Sequence, residues 1–278
     1  METLTPLKFR LWKLANFVLR PVGYELRRLR PVRASLESAL RNVRALGVVP
    51  ASVADVGAAY GSWSLACAAV FPEAQFVLVE PLSEFAPFLA EAAARLGNAR
   101  YVAAAAGSSD GQAILHVHHD LVGSSTYPEH EPDLESENRR VEALTLDSIL
   151  SEAGAQPPYL IKLDVQGAEL DVLAGATAAL RQTSLLVLEV SFFEFFAAGP
   201  DFAAVVERMV TLGFALYDVL GLSYRPLDGA LAQADVLFVP FDSPLRAHRL
   251  YASPDQRADQ DARFRSEHER RRVGGSAA

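Results

Sequence analysis

Tyr159-Leu160-Ile161-Lys162-Leu163-Asp164 and Leu185-Leu186-Val187-Leu188-Glu189-Val190 are the two stretches that decide the fold. Both are near-continuous apolar runs. That is the pattern of strands covered on both faces of a parallel sheet, not of half-solvated antiparallel strands. Further strand-like runs lie at Val53–Val56, Gln75–Glu80, Ala99–Ala105, Ala113–His118, Phe214–Asp218 and Asp235–Val239. Helix-like stretches fall near 35–46, 62–70, 84–96, 168–181 and 201–212. The alternation predicts a doubly wound α/β domain with helices on both faces. In such sheets ligands bind at the carboxyl ends of the strands, so chemistry is sought where each strand stops.

The 278 residues, half of them hydrophobic and 22% charged, suit one large globular domain or two small ones. No apolar run reaches the ~18 residues of a membrane span. The opening METLTPLKFRLWKL lacks the apolar core and cleavage site of a secretory signal, and the single Cys67 excludes a disulfide framework. The expectation is therefore a cytoplasmic protein. The net charge of −8 is uneven: residues 1–50 carry ten bases against three acids, whereas residues 51–240 carry eight against twenty-five. A body of that sign is a poor binder of nucleic acid. Leu4, Leu7, Leu11, Leu14 and Val18 recur at helical spacing among Lys8, Arg10, Lys13 and Arg20. They predict a basic amphipathic helix for a peripheral membrane contact, a packed helix or a homo-oligomer. The chain divides into a basic helical extension (1–50), an α/β domain (51–245) and a polar tail (246–278), expected to be a helix or frayed. The acidic, breaker-rich stretch 120–140 reads as an insertion loop.

The first strand runs into Asp55-Val56-Gly57-Ala58-Ala59-Tyr60-Gly61, and the second ends in Glu80-Pro81. Glycines between a strand and a helix let the backbone approach a ligand closely, and an acid after the second strand is placed to accept both hydroxyls of a ribose. The dinucleotide fingerprint G-x-G-x-x-G is broken by Ala59. Asp55 would also repel a pyrophosphate at the turn, where unit charges 4 Å apart interact by ~4 kcal/mol at an effective dielectric of 20. A sulfonium and an ammonium would be attracted instead, which favours S-adenosylmethionine over NAD. Asp110, in Gly107-Ser108-Ser109-Asp110-Gly111, is placed either to accept from an adenine amino group or to form a hairpin turn.

Lys162 and Asp164 are two apart and share a sheet face; Glu189 on the next strand is a second candidate partner for the lysine. Asp164 at the strand tip is a candidate for orienting donor and acceptor, with Glu169 in the first turn of the following helix. His116, His118, His119 and Asp120 resemble metal ligands at first sight, but further ligands would be needed and no metal is expected. His118, or another of these histidines or His130, is a candidate general base. Gly123–Thr126 could bond a substrate or turn the chain. Phe192, Phe193, Phe195 and Phe196 could line an acceptor pocket or fill core.

The blocks DVGAAYGSWSL (55–65), FVLVEP (76–81), AAAAGSSDG (103–111), LTLDSIL (144–150) with IKLDVQGAELDVLAGA (161–176), and LLVLEVSFF (185–193) followed by QADVLFV (233–239) resemble the FkbM-type S-adenosylmethionine-dependent methyltransferases. The resemblance implies a class I methyltransferase sheet of seven mostly parallel strands with an antiparallel last strand. It implies O-methylation of a small molecule, polyketide or glycan. It implies that Asp55, Gly57, Ala58 and Gly61 hold the methionine part of the cofactor, Glu80 the ribose and Asp110 the adenine, with Asp164 near the transferring methyl. Ala59 stands where the family commonly has Asn. The other readings of the same residues are an NAD-dependent oxidoreductase and a non-catalytic scaffold recruited through the basic helix.

Overall fold

The computed structural model describes residues 35–131 and 135–274, so the amphipathic stretch at Leu4–Val18 lies outside the described residues. Ser35 caps helix α1 (Leu36–Ala45) by accepting from the Ser38 amide, and Ala39, Leu40 and Val43 turn one face of that helix into the core. There follow β1 (Ser52–Val56), α2 (Ser62–Ala68), β2 (Gln75–Val79), α3 (Ala86–Leu96), β3 (Ala99–Val102) and β4 (Ala105–Gly107). Next are β5 (Gly111–His118), β6 (Glu135–Thr145), α4 (Leu146–Glu152), β7 (Tyr159–Leu163), α5 (Glu169–Ala174) and α6 (Thr177–Leu180). The chain continues through β8 (Thr183–Ser191), α7 (Phe202–Thr211), β9 (Phe214–Tyr224), β10 (Leu231–Pro240) and α8 (Pro254–Gly274).

Seven strands form one sheet in the order β3-β2-β1-β7-β8-β10-β9. Neighbours from β3 to β8 are parallel, and β10 inserts antiparallel between β8 and β9. This is the seven-stranded arrangement expected, including the antiparallel last strand. Strand alternation divides the core in two. Val56, Val79, Ile161, Leu163 and Leu188 pack on one face with residues of α4, α5 and α7. Val53, Leu78, Leu160 and Val187 pack on the other with residues of α1 and α3.

Two expectations need correction. The run 99–105 is not one strand: it breaks after Val102, and β4 pairs with β6 in a second, three-stranded sheet of order β4-β6-β5. The stretch 120–140 is not all loop, because its last residues enter β6, an eleven-residue strand antiparallel to β5. Charged residues on an exposed edge sheet hide the alternation that marks a buried strand. The tail forms α8, and its described side chains are almost all exposed. Among the described residues no helix is long and apolar enough to cross a membrane.

Candidate functional site

The carboxyl ends of β1, β2 and β7 border a cleft that is open to solvent at its mouth. Glu80 and Asp164 stand in its wall beside Gly57 and Ala59, Phe85 and Ala104–Ala106 add apolar surface, and the turn at Leu121–Thr126 also lines it.

Behind the wall lies an ion network. Register pairs Asp55 of β1 with Lys162 of β7. The Lys162 ammonium sits 3.4 Å from Asp55 Oδ1 and 2.9 Å from Asp164 Oδ2. It also donates to the Gly57 carbonyl at 3.2 Å. The Lys162–Asp164 contact confirms the shared sheet face; the partners of the lysine are Asp55 and Asp164. Burial alone would lower the lysine, but the two carboxylates outweigh it and hold the ammonium above its ordinary value. Asp55 is wholly buried and accepts from Ser64 Oγ at 2.7 Å. Burial raises its carboxyl, against Lys162 and Ser64.

Glu80 accepts the amides of Ala59 at 3.2 Å and Leu82 at 3.0 Å, one on each oxygen. Burial pushes its carboxyl up to about 7 in spite of these bonds. Glu169 does not reach the cleft wall. It accepts the amides of Val165 and Gly167 and fixes the turn into α5, and burial pushes it up to about 7 as well.

Several expected site residues do other work. Gly57 lines the cleft, but its φ of +77° and missing Cβ serve another contact: a Cβ there would lie 1.8 Å from the Asp164 carbonyl oxygen. Gly61 begins α2, and its missing Cβ admits Ala92 of α3. Ala58 is buried, with its amide donated to the Val79 carbonyl. Asp110 is absent from the cleft wall, since its carboxylate accepts the Thr145 amide at 2.6 Å and the Ser148 hydroxyl at 2.8 Å at the start of α4. The hairpin reading is not met, because β4 and β5 both pair with β6 and not with each other.

His118 is not brought to the cleft either. Its Nδ1 lies 2.7 Å from Asp120 Oδ1, its ring packs on Gly123, and its backbone amide bonds Ser124 Oγ. These contacts build the turn that roofs the cleft. Ser125 in that turn donates its hydroxyl to the Gln166 carbonyl. The four phenylalanines divide: Phe192 stacks on Phe202, Phe193 lies under the Arg225 guanidinium, and Phe195 and Phe196 line a second cleft with Gln166 and Gln233. Among the described residues no group of three His, Cys, Asp or Glu side chains is assembled to hold a metal.

Residues 55–216, which span the glycine turn, the Glu80 strand end and the Lys162–Asp164 strand, match the methyltransferase FkbM domain. The chain belongs to the FkbM methyltransferase family. Methyltransferase FkbM from Methylobacillus flagellatus KT is similar in structure, at 16% identity and a TM-score of 0.45 over 66% of this chain and 43% of that one. The present chain therefore spans less than half the length of that relative. Magnesium protoporphyrin IX methyltransferase from Synechocystis PCC 6803 with bound SAM is similar at 12% identity and a TM-score of 0.41, over 86% of this chain and 100% of that one. The SAM complex of an O-methyltransferase of tomaymycin synthesis from Streptomyces achromogenes is similar at 13% identity and a TM-score of 0.42, over 82% and 89%. No curated protein matches the sequence.

In this FkbM-family chain Ala59 adopts φ +44°, the left-handed region where Asn is tolerated far better than Ala. An Asn at that position, which the family resemblance implies, would meet that backbone more easily than Ala. Sequence reasoning missed Gln166 and Gln233, whose amide nitrogens both bond Glu189 Oε2, at 2.9 Å and 3.0 Å. Gln166 also has a positive φ of +54°. The only signal for it was a polar residue before Gly167 at a strand-to-helix turn, which is too common to single one out.

Proposed function

We propose that this protein is an S-adenosylmethionine-dependent methyltransferase that methylates a hydroxyl of a small molecule or glycan in the cytoplasm. The observation that carries the reading is the charge at the carboxyl-end cleft. Glu80 and Asp164 stand in its wall and Asp55 behind it, while the one ammonium among them, Lys162, is already shared between Asp55 and Asp164. That surplus suits a ligand with a sulfonium and an ammonium, and it opposes a pyrophosphate. The residues present fit the cofactor: Glu80 has oxygens for a ribose diol, and Phe85 with Ala104–Ala106 offers an apolar wall for adenine.

When bound, S-adenosylmethionine supplies a methyl group on positively charged sulfur, already activated for displacement. The protein's part is then chiefly alignment, an effect of ~7–11 kcal/mol in favourable intramolecular systems. Asp164 has Oδ2 on Lys162 and Oδ1 on the Gln166 amide. A carboxylate held by a donor on each oxygen is fixed in direction, which suits orienting the reactants. The hydroxyl acceptor is what the family resemblance implies. The twenty-five acids against eight bases in residues 51–240 support a small acceptor over a nucleic acid.

Calorimetric titration tests the reading. S-adenosylmethionine and S-adenosylhomocysteine should bind and NADH should not, and Glu80→Gln should weaken both by about tenfold, one charged hydrogen-bond pair. Binding of NADH with indifference to S-adenosylmethionine would overturn it.

A further inference from the structure

Gln166 holds a left-handed backbone, with φ +54°, that an L-residue other than Gly or Asn adopts only under constraint. Its amide nitrogen donates both hydrogens to carboxyl groups, one to Asp164 Oδ1 and one to Glu189 Oε2, each at 2.9 Å. Its carbonyl accepts from Ser125 of the roof turn. One nitrogen thus ties Glu189 to the Asp164 carboxylate, and a like charge at that place opposes ionisation of Glu189.

The surroundings decide which of them keeps a proton. From β7 and the turn after it, Lys162 faces the pair and sits on Asp164, 2.9 Å from Oδ2. From β10, Asp235 is the direct register partner of Glu189, and Gln233 adds a second donor to Glu189 Oε2. Glu189 therefore has two neutral amides on one oxygen and carboxylates on either side, with the cation spent on Asp164. Burial, then the Asp164 charge, pushes the Glu189 carboxyl up to about 8. Both glutamines that hold Glu189 also line the second cleft, beside Phe195 and Phe196.

We propose that Glu189, tied through Gln166 to Asp164 in the cleft wall, keeps a proton while the cleft is empty, and that a cationic methyl donor bound there drives that proton off to solvent. The inference rests on the methyl-donor reading above. Once the sulfur is neutral the positive charge is gone, and Glu189 takes a proton back from solvent until the next donor binds.

Proton release on ligand binding tests this without knowledge of the acceptor. Titrations at pH 8 in two buffers of different ionisation enthalpy compare S-adenosylmethionine with its neutral-sulfur product, S-adenosylhomocysteine. Glu80 meets the same ribose in both and cancels. A tenfold fall in the proton affinity of Glu189 makes the cationic ligand release roughly 0.4 proton more than the neutral one. Glu189→Gln should abolish that difference while S-adenosylhomocysteine affinity stays within about twofold. Asp235→Asn, which removes a like charge and leaves Glu189 in place, should move the maximum of the difference to lower pH. Equal release by both ligands, or a difference that persists in Glu189→Gln, would overturn the proposal. If neither ligand binds, it is the methyl-donor reading itself that fails.

Discussion

Replacing Lys162 by Met removes the ammonium but keeps most of the volume of its stem. The side chain is 7% exposed and is the one cation beside Asp55, which is wholly buried. Breaking a buried ion pair from one side costs about 3–5 kcal/mol, because the remaining charge has no solvent. Asp55 has an escape, which is to bind a proton. From its ordinary value of 3.8 the escape costs about 1.4 kcal/mol per pH unit, hence at most about 4.4 kcal/mol at pH 7 and about 1.6 kcal/mol at pH 5. These are upper bounds, since burial already raises Asp55 in the wild type. Urea unfolding at the two pH values should therefore show Lys162→Met destabilised by about 3–4 kcal/mol at pH 7 and by less than half of that at pH 5. Adding Asp55→Asn should recover most of the loss at pH 7. A penalty that stays flat with pH, or a double variant as unstable as the single, would refute the claim that Lys162 is there to compensate a buried carboxylate.

Gly57→Ala should destabilise by about 2–5 kcal/mol, combining a left-handed L-residue with a backbone clash at the Asp164 carbonyl; a denaturation midpoint within error of wild type would contradict this. Ala59→Gly, relieving φ +44°, should stabilise by about 0.5–1 kcal/mol and raise the melting temperature by roughly 1–4 °C, and a lowered midpoint would count against strain at that position. The ligand-free protein should melt lower at pH 8 than at pH 6. Glu80 and Glu169, both raised to about 7 by burial, hold protons more tightly folded than unfolded, so stability falls as pH climbs from their ordinary 4.5 through 7. The two together amount to about 3 kcal/mol between those two pH values, and a midpoint that rises or stays level would refute the assignment.

The parallel core was legible because β1, β7 and β8 are buried on both faces, and a continuous apolar run such as Leu185–Val190 has few other uses in a chain of this polarity; Leu185 through Leu188 are all fully buried. The edge was not. In β6, Arg139 pairs with Glu137 of the same strand and with Glu84, and charges at that spacing read as a solvated loop. Within the site, Asp55, Lys162 and Asp164 were legible because charge inside an apolar run is costly unless it has a partner. Asp110 and His118 were less legible. They stand at the two ends of β5 and have local work there, the Asp110 carboxylate accepting the Thr145 amide and the His118 ring the Asp120 amide, which sequence does not distinguish from ligand binding. The role of Gln166 depends on a left-handed backbone and a bridge across two strands, and neither is encoded in local pattern.

The acids of the site have a common origin in strand alternation. Asp55 follows Val53 by two, Glu80 follows Leu78, Glu189 follows Val187, and Asp235 precedes Leu237 by two; these apolar partners all belong to the core on the α1–α3 face. Lys162 follows Leu160 in the same way. One sheet face thus passes from hydrocarbon to carboxylate at its upper edge, and a single lysine covers only part of the charge. An edge of that kind is costly to fold, since desolvation raises Asp55, Glu80, Glu189 and Asp235 alike. A cationic ligand supplies the missing charge, so the binding free energy and the pH-dependent loss of stability have one physical source. It follows that S-adenosylmethionine should stabilise the protein more at pH 8 than at pH 6, whereas S-adenosylhomocysteine should show the smaller gain that Glu80 alone confers. Thermal shifts of equal size for the two ligands at both pH values would separate the acid edge from donor recognition.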